Sequence, residues 1–259
     1  MSEAILKVEN VSRIYKDDDE ETVALLDANF EVQEGEFVSI IGASGCGKTT
    51  LLRMLAGLDP VKQGEITLRG EKITGPDPKR GYVFQQGNLY NWLTVEQNIA
   101  YGLKARKVYK ENKHRVPELI DMIGLNGFEK AYPHQISGGM AQRVAIARFL
   151  INDPEILLLD EPMGALDSFT RADLQDKLLE LKAKNNTTMI LVTHDVDEAI
   201  YLSDRIIIMT PRPGRISEIM DIKMHHPRNR GGSDFMKIRK DLLERFELAS
   251  QAGQPEYMI

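Results

Sequence analysis

The chain has 259 residues, 42% of them hydrophobic and 28% charged, with a net charge of −6 at pH 7 and a single cysteine. Such a length can bury a sizeable core, as one large α/β domain or as a domain with an inserted lobe, and the acidic balance argues against broad nucleic-acid binding through phosphate neutralisation. Apolar runs such as Ile156–Leu159 and Ile206–Met209 are far too short to span a bilayer, so no transmembrane helix is expected. The N-terminus lacks a basic region followed by an apolar stretch, and Cys46 has no partner for an internal disulfide; both fit a cytoplasmic, reducing location.

Taken in chain order, Ile5–Val8, Ala24–Phe30 and Phe37–Ile41 read as short strands, with Glu34-Gly35 as punctuation. The acidic run Asp17–Glu21 reads as a solvated turn between two of them. A helix is expected from Lys48 to about Leu58, strand–turn character over Gly64–Gly70, and a further strand at Gly81–Gln85. From about Val95 to Leu150 the pattern is helical, broken at Gly124, Gly127 and Pro133, and only after Pro154 does a buried-strand run return at Ile156–Leu159. A helical lobe inserted into an α/β core follows from this order. The remainder alternates helix (Ser168–Lys184), strand (Thr188–Val192), helix (Asp195–Leu202) and strand (Arg205–Thr210), as in a parallel sheet with crossover helices. Phe235, Ile238, Leu242 and Phe246 recur at helical spacing and predict a docked C-terminal helix. The expected division is a discontinuous core (1–86 and 152–221), a helical lobe (87–151) and a C-terminal extension (222–259).

Phe37–Ile41 runs directly into Gly42-Ala43-Ser44-Gly45-Cys46-Gly47-Lys48-Thr49, followed by Thr50, which fits the phosphate-cradling pattern G-x-x-x-x-G-K-S/T. Glycines let several N–H groups face one anion, and the helix beginning at Lys48 adds the positive end of its dipole. In this pattern Lys48 reaches the β- and γ-phosphates and Thr49 offers a hydroxyl to Mg²⁺. The run Ile156–Leu159 ends in Asp160-Glu161, an apolar strand with two carboxylates at its edge. Asp160 is expected to hold Mg²⁺ and Glu161 to polarise the attacking water, although a strand followed by a solvated acidic turn has the same appearance. Thr193-His194-Asp195 follows another β-rich run and puts an imidazole at a sheet edge, where it can bond a γ-phosphate. Ser137, Gly138 and Gly139 precede a helix read as Ala141–Leu150 and offer a second anion site at a helix start, or an ordinary N-cap. A bulky adduct on Cys46 is expected to block ATP binding unless ATP already fills the loop.

This set, in this order and spacing, resembles an ATP-binding cassette, and the chain looks like the nucleotide-binding subunit of an ABC transporter along nearly its whole length. The resemblance implies an α/β P-loop ATPase core with a parallel sheet, an N-terminal antiparallel β region and an inserted helical lobe. It also implies that Gln85 reaches Mg²⁺ and the attacking water, that Ala165-Leu166-Asp167 crosses to a partner cassette, and that Tyr15 stacks on adenine, a core tyrosine being the alternative. The metal ligands it implies are Thr49, Gln85 and Asp160, and the catalytic residues are Glu161, His194 and Gln85. Where the family usually has Leu-Ser-Gly-Gly-Gln, this chain has Ile136-Ser-Gly-Gly-Met140; Met140 cannot make the amide bonds of glutamine and is left out of the nucleotide contacts. Two such cassettes pack head to tail, so the Ser137 site of one completes the ATP site of the other.

Val83-Phe-Gln-Gln86, Trp92-Leu-Thr-Val95, Gly138-Gly-Met140 and Pro211-Arg-Pro-Gly-Arg-Ile216 resemble importers of nitrate, sulfonate, taurine and bicarbonate, with Asn91 where that group usually has proline. The partners so implied are a second cassette, transmembrane permease subunits and, indirectly, an extracytoplasmic solute-binding protein, with the chain peripheral on the cytoplasmic side of the membrane and no nucleic acid bound. Leu89, Tyr90, Trp92 and Leu93 either receive a helix from the membrane partner or form a mini-core of the lobe. A soluble cassette ATPase acting on nucleic acid or ribosomes is the competing class. Such proteins commonly carry two cassettes or coiled-coil insertions, and this chain has one cassette and no heptads.

Overall fold

The structure, a computed structural model, describes residues 4–17, 20–85 and 88–252; Asp18, Asp19, Gln86, Gly87 and the last seven residues of the expected C-terminal extension lie outside the described residues. The chain forms two compact units, 1–77 with 188–259, and 78–187.

The first unit opens with an antiparallel ribbon. Strand β1 (Ala4–Asp17) pairs with β2 (Glu20–Gln33) in a register running from Ala4 opposite Gln33 to Asp17 opposite Glu20. The strands thus continue into the acidic run, where Lys16 pairs with Glu21. On its other edge β1 meets β4 (Gln63–Leu68), which carries the two-residue β5 (Glu71–Lys72), for a sheet order β2-β1-β4-β5. Leu6, Val8, Val11, Leu25, Ala28 and Val32 are buried, together with their neighbours Ile5 and Ala24, so both strands contribute to the core.

The same unit holds a mainly parallel array. Strand β3 (Phe37–Gly42) lies between β8 (Thr188–Val192) and β9 (Arg205–Met209), parallel to both, with Ile40 opposite Val192 and Gly42 opposite Met209. Every residue of β3 and β8 is buried, which is why both read as unbroken apolar runs rather than alternating ones. Helix α1 (Lys48–Ala56) follows β3, and α7 (Val196–Leu202) joins β8 to β9. An antiparallel edge strand, β10 (Ile216–Asp221), which sequence reading passed over, completes the array.

Helix α8 (Ser233–Ala252) belongs to this unit and buries Phe235, Leu242 and Ala249, one residue every seven, with Ile238 and Phe246 half-buried beside them. Arg239 pairs with Asp197 of α7 at 2.7 Å. Arg245 pairs with Asp241 one turn earlier at 2.9 Å and with Glu218 of β10.

In the second unit β6 (Arg80–Val83) lies parallel to β7 (Ile156–Asp160), with Val83 opposite Leu159. Its helices are α2 (Val95–Ala105), α3 (Tyr109–Asn112), α4 (Arg115–Met122), α5 (Gly138–Leu150) and α6 (Ser168–Asn185). Thr94 and Gln97 form a reciprocal cap at the start of α2, whose Val95, Ile99 and Leu103 are buried, as are Leu119 and Ile120 of α4 and Val144 and Ala147 of α5. Helix α5 starts three residues earlier than the sequence reading placed it. Two glycines are poor helix formers, but Ser137 caps them through its Oγ, which accepts from Met140 N–H at 3.3 Å.

Arg228 holds the chain between β10 and α8 against α7. It is 5% exposed and donates to the carbonyls of Ile200 and Ser203 at the C-terminal end of α7 and to that of Met224 at 3.0 Å; burial lowers its pKa to about 10, so it stays charged at neutral pH. Arg228→Ala strands these buried carbonyls and is expected to destabilise the protein by about 2–3 kcal/mol. Calorimetry should register this as a loss of roughly 5–10 °C in Tm.

Candidate active site

The phosphate loop leaves the buried end of β3 and turns into α1. Lys48 is only 6% exposed, and its ammonium donates to the carbonyls of Gly42 at 2.8 Å and Ala43 at 3.0 Å, so the loop's own backbone holds the cation in place. Gly47 caps α1 in the left-handed region at φ 98°, where a side chain is strained, and a Cβ there would stand 2.7 Å from the Ala24 carbonyl of β2. Ser44, Gly45 and Thr49 are exposed on the outer side of the turn. Thr50 Oγ1 shares a 3.3 Å hydrogen bond with the hydroxyl of Tyr15. The Tyr15 ring is 39% exposed, lies 4.7 Å beneath the Arg13 guanidinium, and lines a cavity of about 410 Å³ with Arg13, Lys16 and Lys62.

His194 stands at the same end of the parallel array. It follows β8, whose next residue, Thr193, donates its N–H to the Ile40 carbonyl at 3.2 Å, two residues before the loop begins. Thr193 Oγ1 donates to the buried Glu198 at 2.7 Å, and Asp195 caps α7 by accepting from the N–H groups of Asp197 and Glu198. His194 is therefore exposed on a backbone fixed from both sides.

The acidic residues singled out by the sequence, Asp160 and Glu161, belong to the second unit. Asp160 ends β7 at 8% exposure and accepts a 2.8 Å hydrogen bond from Tyr82 of β6, which fixes the orientation of its carboxyl group. Glu161 follows at φ 43°, a conformation a glutamate adopts only under constraint, and there the chain leaves the strand. Gln85 leaves the parallel neighbour β6 at the same end. The two converge on Gly164: a Cβ built there would stand 3.9 Å from both Gln85 Nε2 and Glu161 Oε2. Just beyond, Asp167 caps α6 and takes a 2.6 Å bond from the Thr170 hydroxyl, which holds its carboxyl below the usual range.

Ser137 and Gly138 are exposed at the start of α5, whereas Gly139 is buried so closely against Thr170 that a Cβ would lie 2.0 Å from its methyl. Farther along α5, Gln142 donates to the Phe84 carbonyl at 3.3 Å and Arg148 to that of Asn88 at 2.9 Å. One helix thus carries the serine cap and also braces the segment around Gln85. Sequence reading missed Tyr82, Gln142 and Arg148 in these roles, and no local pattern on α5 marks the last two as inward-facing.

The aromatic cluster after Gln85 is organised by Asn98. Its side chain, fully buried, accepts from Tyr90 N–H at 2.9 Å and donates to the carbonyls of Tyr90, Leu93 and Thr94 at 3.2, 3.0 and 3.1 Å. Tyr90 packs on Tyr101 at 4.5 Å, while Trp92 is left 73% exposed.

The expectation for Cys46 needs correction. Its side chain is 0% exposed beneath the loop, and burial raises the thiol pKa, only partly offset by Lys48 nearby. A buried, protonated thiol is a poor nucleophile. Iodoacetamide at pH 7.5 is therefore expected to label Cys46 of the folded protein at least about tenfold more slowly than the unfolded chain, with or without ATP. Mass spectrometry of timed samples checks this; fast labelling that ATP suppresses would reverse it.

The family model described as ABC transporter matches residues 25–164. The chain is 49% identical over 242 residues to the aliphatic sulfonates import ATP-binding protein SsuB of Bacillus cereus, spanning 93% of this chain and 96% of that protein. It is 48% identical over 194 residues to the taurine import ATP-binding protein TauB of Roseobacter denitrificans, spanning 74% and 72%. Among solved structures, the dimeric post-hydrolysis state of the ATP-binding cassette MJ0796 bound to ADP and Pi superposes with a TM-score of 0.74 at 36% identity, over 85% of this chain and 100% of that one. With a family match over more than half its length and relatives this similar along most of it, the chain belongs to the ABC transporter family, as one of its ATP-binding cassettes.

Proposed function

We propose that this cassette hydrolyses ATP to drive import of a small organic sulfonate through a membrane permease. The observation that carries the solute class is the near-complete alignment with import subunits named for aliphatic sulfonates, together with the similarity to one named for taurine. Both narrow the set of anions that sequence reading had left open. Among the described residues no helix is long and apolar enough to cross a membrane, which suits a subunit held peripherally on the cytoplasmic face by its permease. In functional terms, residues 1–86 and 152–221 act as the ATPase core and 87–151 as the lobe that carries Ser137 and Trp92. The exposed Trp92 beside Tyr90 offers that permease an ordered aromatic contact.

In this reading the amides of Gly45, Gly47, Lys48 and Thr49, with the Lys48 ammonium, receive the β- and γ-phosphates, and Tyr15 stacks on the adenine. Glu161, placed by its strained backbone beside Gln85, polarises the water that attacks the γ-phosphorus, and His194 donates to the departing phosphoryl oxygens. The oxygen donors Thr49, Gln85 and Asp160 suit Mg²⁺, a hard cation usually held by one or two carboxylates together with phosphates and water. Asp160 is already ordered by Tyr82 for such a role. Bound there, Mg²⁺ would neutralise charge on the phosphates. Ser137, Gly138 and Gly139 complete the ATP site on a second cassette, in keeping with the dimeric neighbours.

Glu161→Gln is expected to keep ATP affinity within about threefold and lower kcat by about 10²-fold or more, with an ATP-bound dimer accumulating in size-exclusion chromatography. Unchanged turnover would remove Glu161 from catalysis. Deleting the gene is expected to abolish growth on ethanesulfonate or taurine as sole sulfur source while sparing growth on sulfate. Normal growth on both, with loss of uptake of another anion, would reassign the solute.

A further inference from the structure

The segment Pro211-Arg-Pro-Gly-Arg-Ile216 has no part in the mechanism above, yet it lies directly against the phosphate loop. It forms the turn between β9 and β10. Thr210 N–H donates to the Arg215 carbonyl at 3.0 Å, and Thr210 Oγ1 donates to the Pro213 carbonyl at 3.2 Å while accepting from Arg215 N–H at 3.0 Å. From this closed turn Gly214 reaches across to β2, donating its N–H to the Ala24 carbonyl at 3.1 Å and accepting from Leu26 N–H at 2.9 Å.

Two contacts then fall on the loop. Gly214 is buried against Cys46 so tightly that a Cβ would sit 1.8 Å from the Cys46 carbonyl oxygen. Arg212 is exposed, and its Nε and Nη2 both donate to the Gly45 carbonyl at 3.3 Å. Because a trans peptide is planar, its carbonyl and the next N–H point to opposite sides of the chain. Fixing the Gly45 carbonyl outward turns Cys46 N–H back to the Ala43 carbonyl, 3.2 Å away, which closes the curl of the loop. Fixing the Cys46 carbonyl on Gly214 aims Gly47 N–H away from the turn, at the start of α1 where an anion is received.

We propose that Arg212 and Gly214 are positioning residues for ATP binding, a brace that holds the Gly45 and Cys46 carbonyls outward and keeps the phosphate loop in its receptive curl. The proposal rests on reading Gly42–Thr49 as the nucleotide loop. It assigns Arg212 a bond to the protein backbone rather than a long-range pull on an anionic ligand. Arg215 of the same turn distinguishes the two, since it carries the same charge and its side chain is exposed.

The test measures ATP binding with a fluorescent ATP analogue, steady-state ATPase kinetics and unliganded melting on the full-length protein. Arg212→Ala is expected to raise Kd and KM for ATP about fivefold, with kcat within about twofold and Tm within about 2 °C of the parent. Arg212→Lys, which can still give one donor to Gly45, should recover part of that loss, and Arg215→Ala should change nothing. Gly214→Ala should weaken ATP binding more strongly; if it fails to fold, the arginine variants still decide. Wild-type Kd and KM in Arg212→Ala, or an equal loss in Arg215→Ala, would overturn the brace. Lys48→Ala separates the underlying reading: it should lose ATP binding, and unchanged affinity there would remove the nucleotide loop and the brace with it.

Discussion

Three stretches of backbone meet around one carbonyl, that of Ala24. Gly214 donates to it, Gly47 passes so near that a side chain would collide with it, and through these two residues strand β2 and the β9–β10 turn are both fitted to the underside of the phosphate loop. One loop amide, that of Cys46, is satisfied within the loop by the Ala43 carbonyl; in the role proposed above the others are kept for an anion, so the rest of the curl has to be imposed from outside. The packing of glycine against carbonyl does this with rigid parts. Gly42 continues the same constraint, since a Cβ there would stand 2.6 Å from the Cys46 sulfur and 3.1 Å from Met209. The interior thiol, the buried lysine and the closely approached glycines are thus one piece of packing, and each limits what the others can be.

The acidic residues obey a different logic. Asp160 is oriented by the hydrogen bond it accepts from the Tyr82 phenol, and Glu161 is displaced from the strand by a left-handed backbone. Adjacent residues of one sequence thereby acquire separate directions. Gln85, arriving from the parallel neighbour, is supported by α5 through Gln142 and Phe84, and α5 begins with the exposed Ser137 cap. A shift at the serine end of α5 would be felt at the segment around Gln85, because a helix transmits displacement along its axis as a rigid element.

What the sequence made legible follows from which features are local. Strand β8 matched its reading residue for residue, since a buried parallel strand is an unbroken apolar run between turns. The long ribbon β1–β2 was seen only at the apolar Ile5–Val8 and Ala24–Phe30; beyond Val8 and before Ala24 the strands continue because Tyr15, Lys16 and Asp17 pair with Thr22, Glu21 and Glu20, polar residues whose charge reads as a solvated turn. Strand β10 alternates half-buried and exposed residues behind a Pro-Gly turn, and so it passed for a loop. The phosphate loop was legible because its curl requires glycine at fixed spacing. Arg212, Gly214, Tyr82 and Gln142 were not, because each acts on a partner far away in the chain, and the interior placement of Cys46 depended on the same distant contacts.

The loop that carries Trp92 is closed by four hydrogen bonds from one buried amide, that of Asn98, so its shape is set before anything touches it. A surface of that kind gives up little conformational freedom on contact, and even a small complementary area can bind it. The same rigidity works in the other direction. A surface that cannot remould itself does not improve a poor match, so in the permease contact proposed for Trp92 discrimination between cognate and non-cognate subunits would rest on the stiffness of a single asparagine's surroundings rather than on the chemistry of the indole it displays.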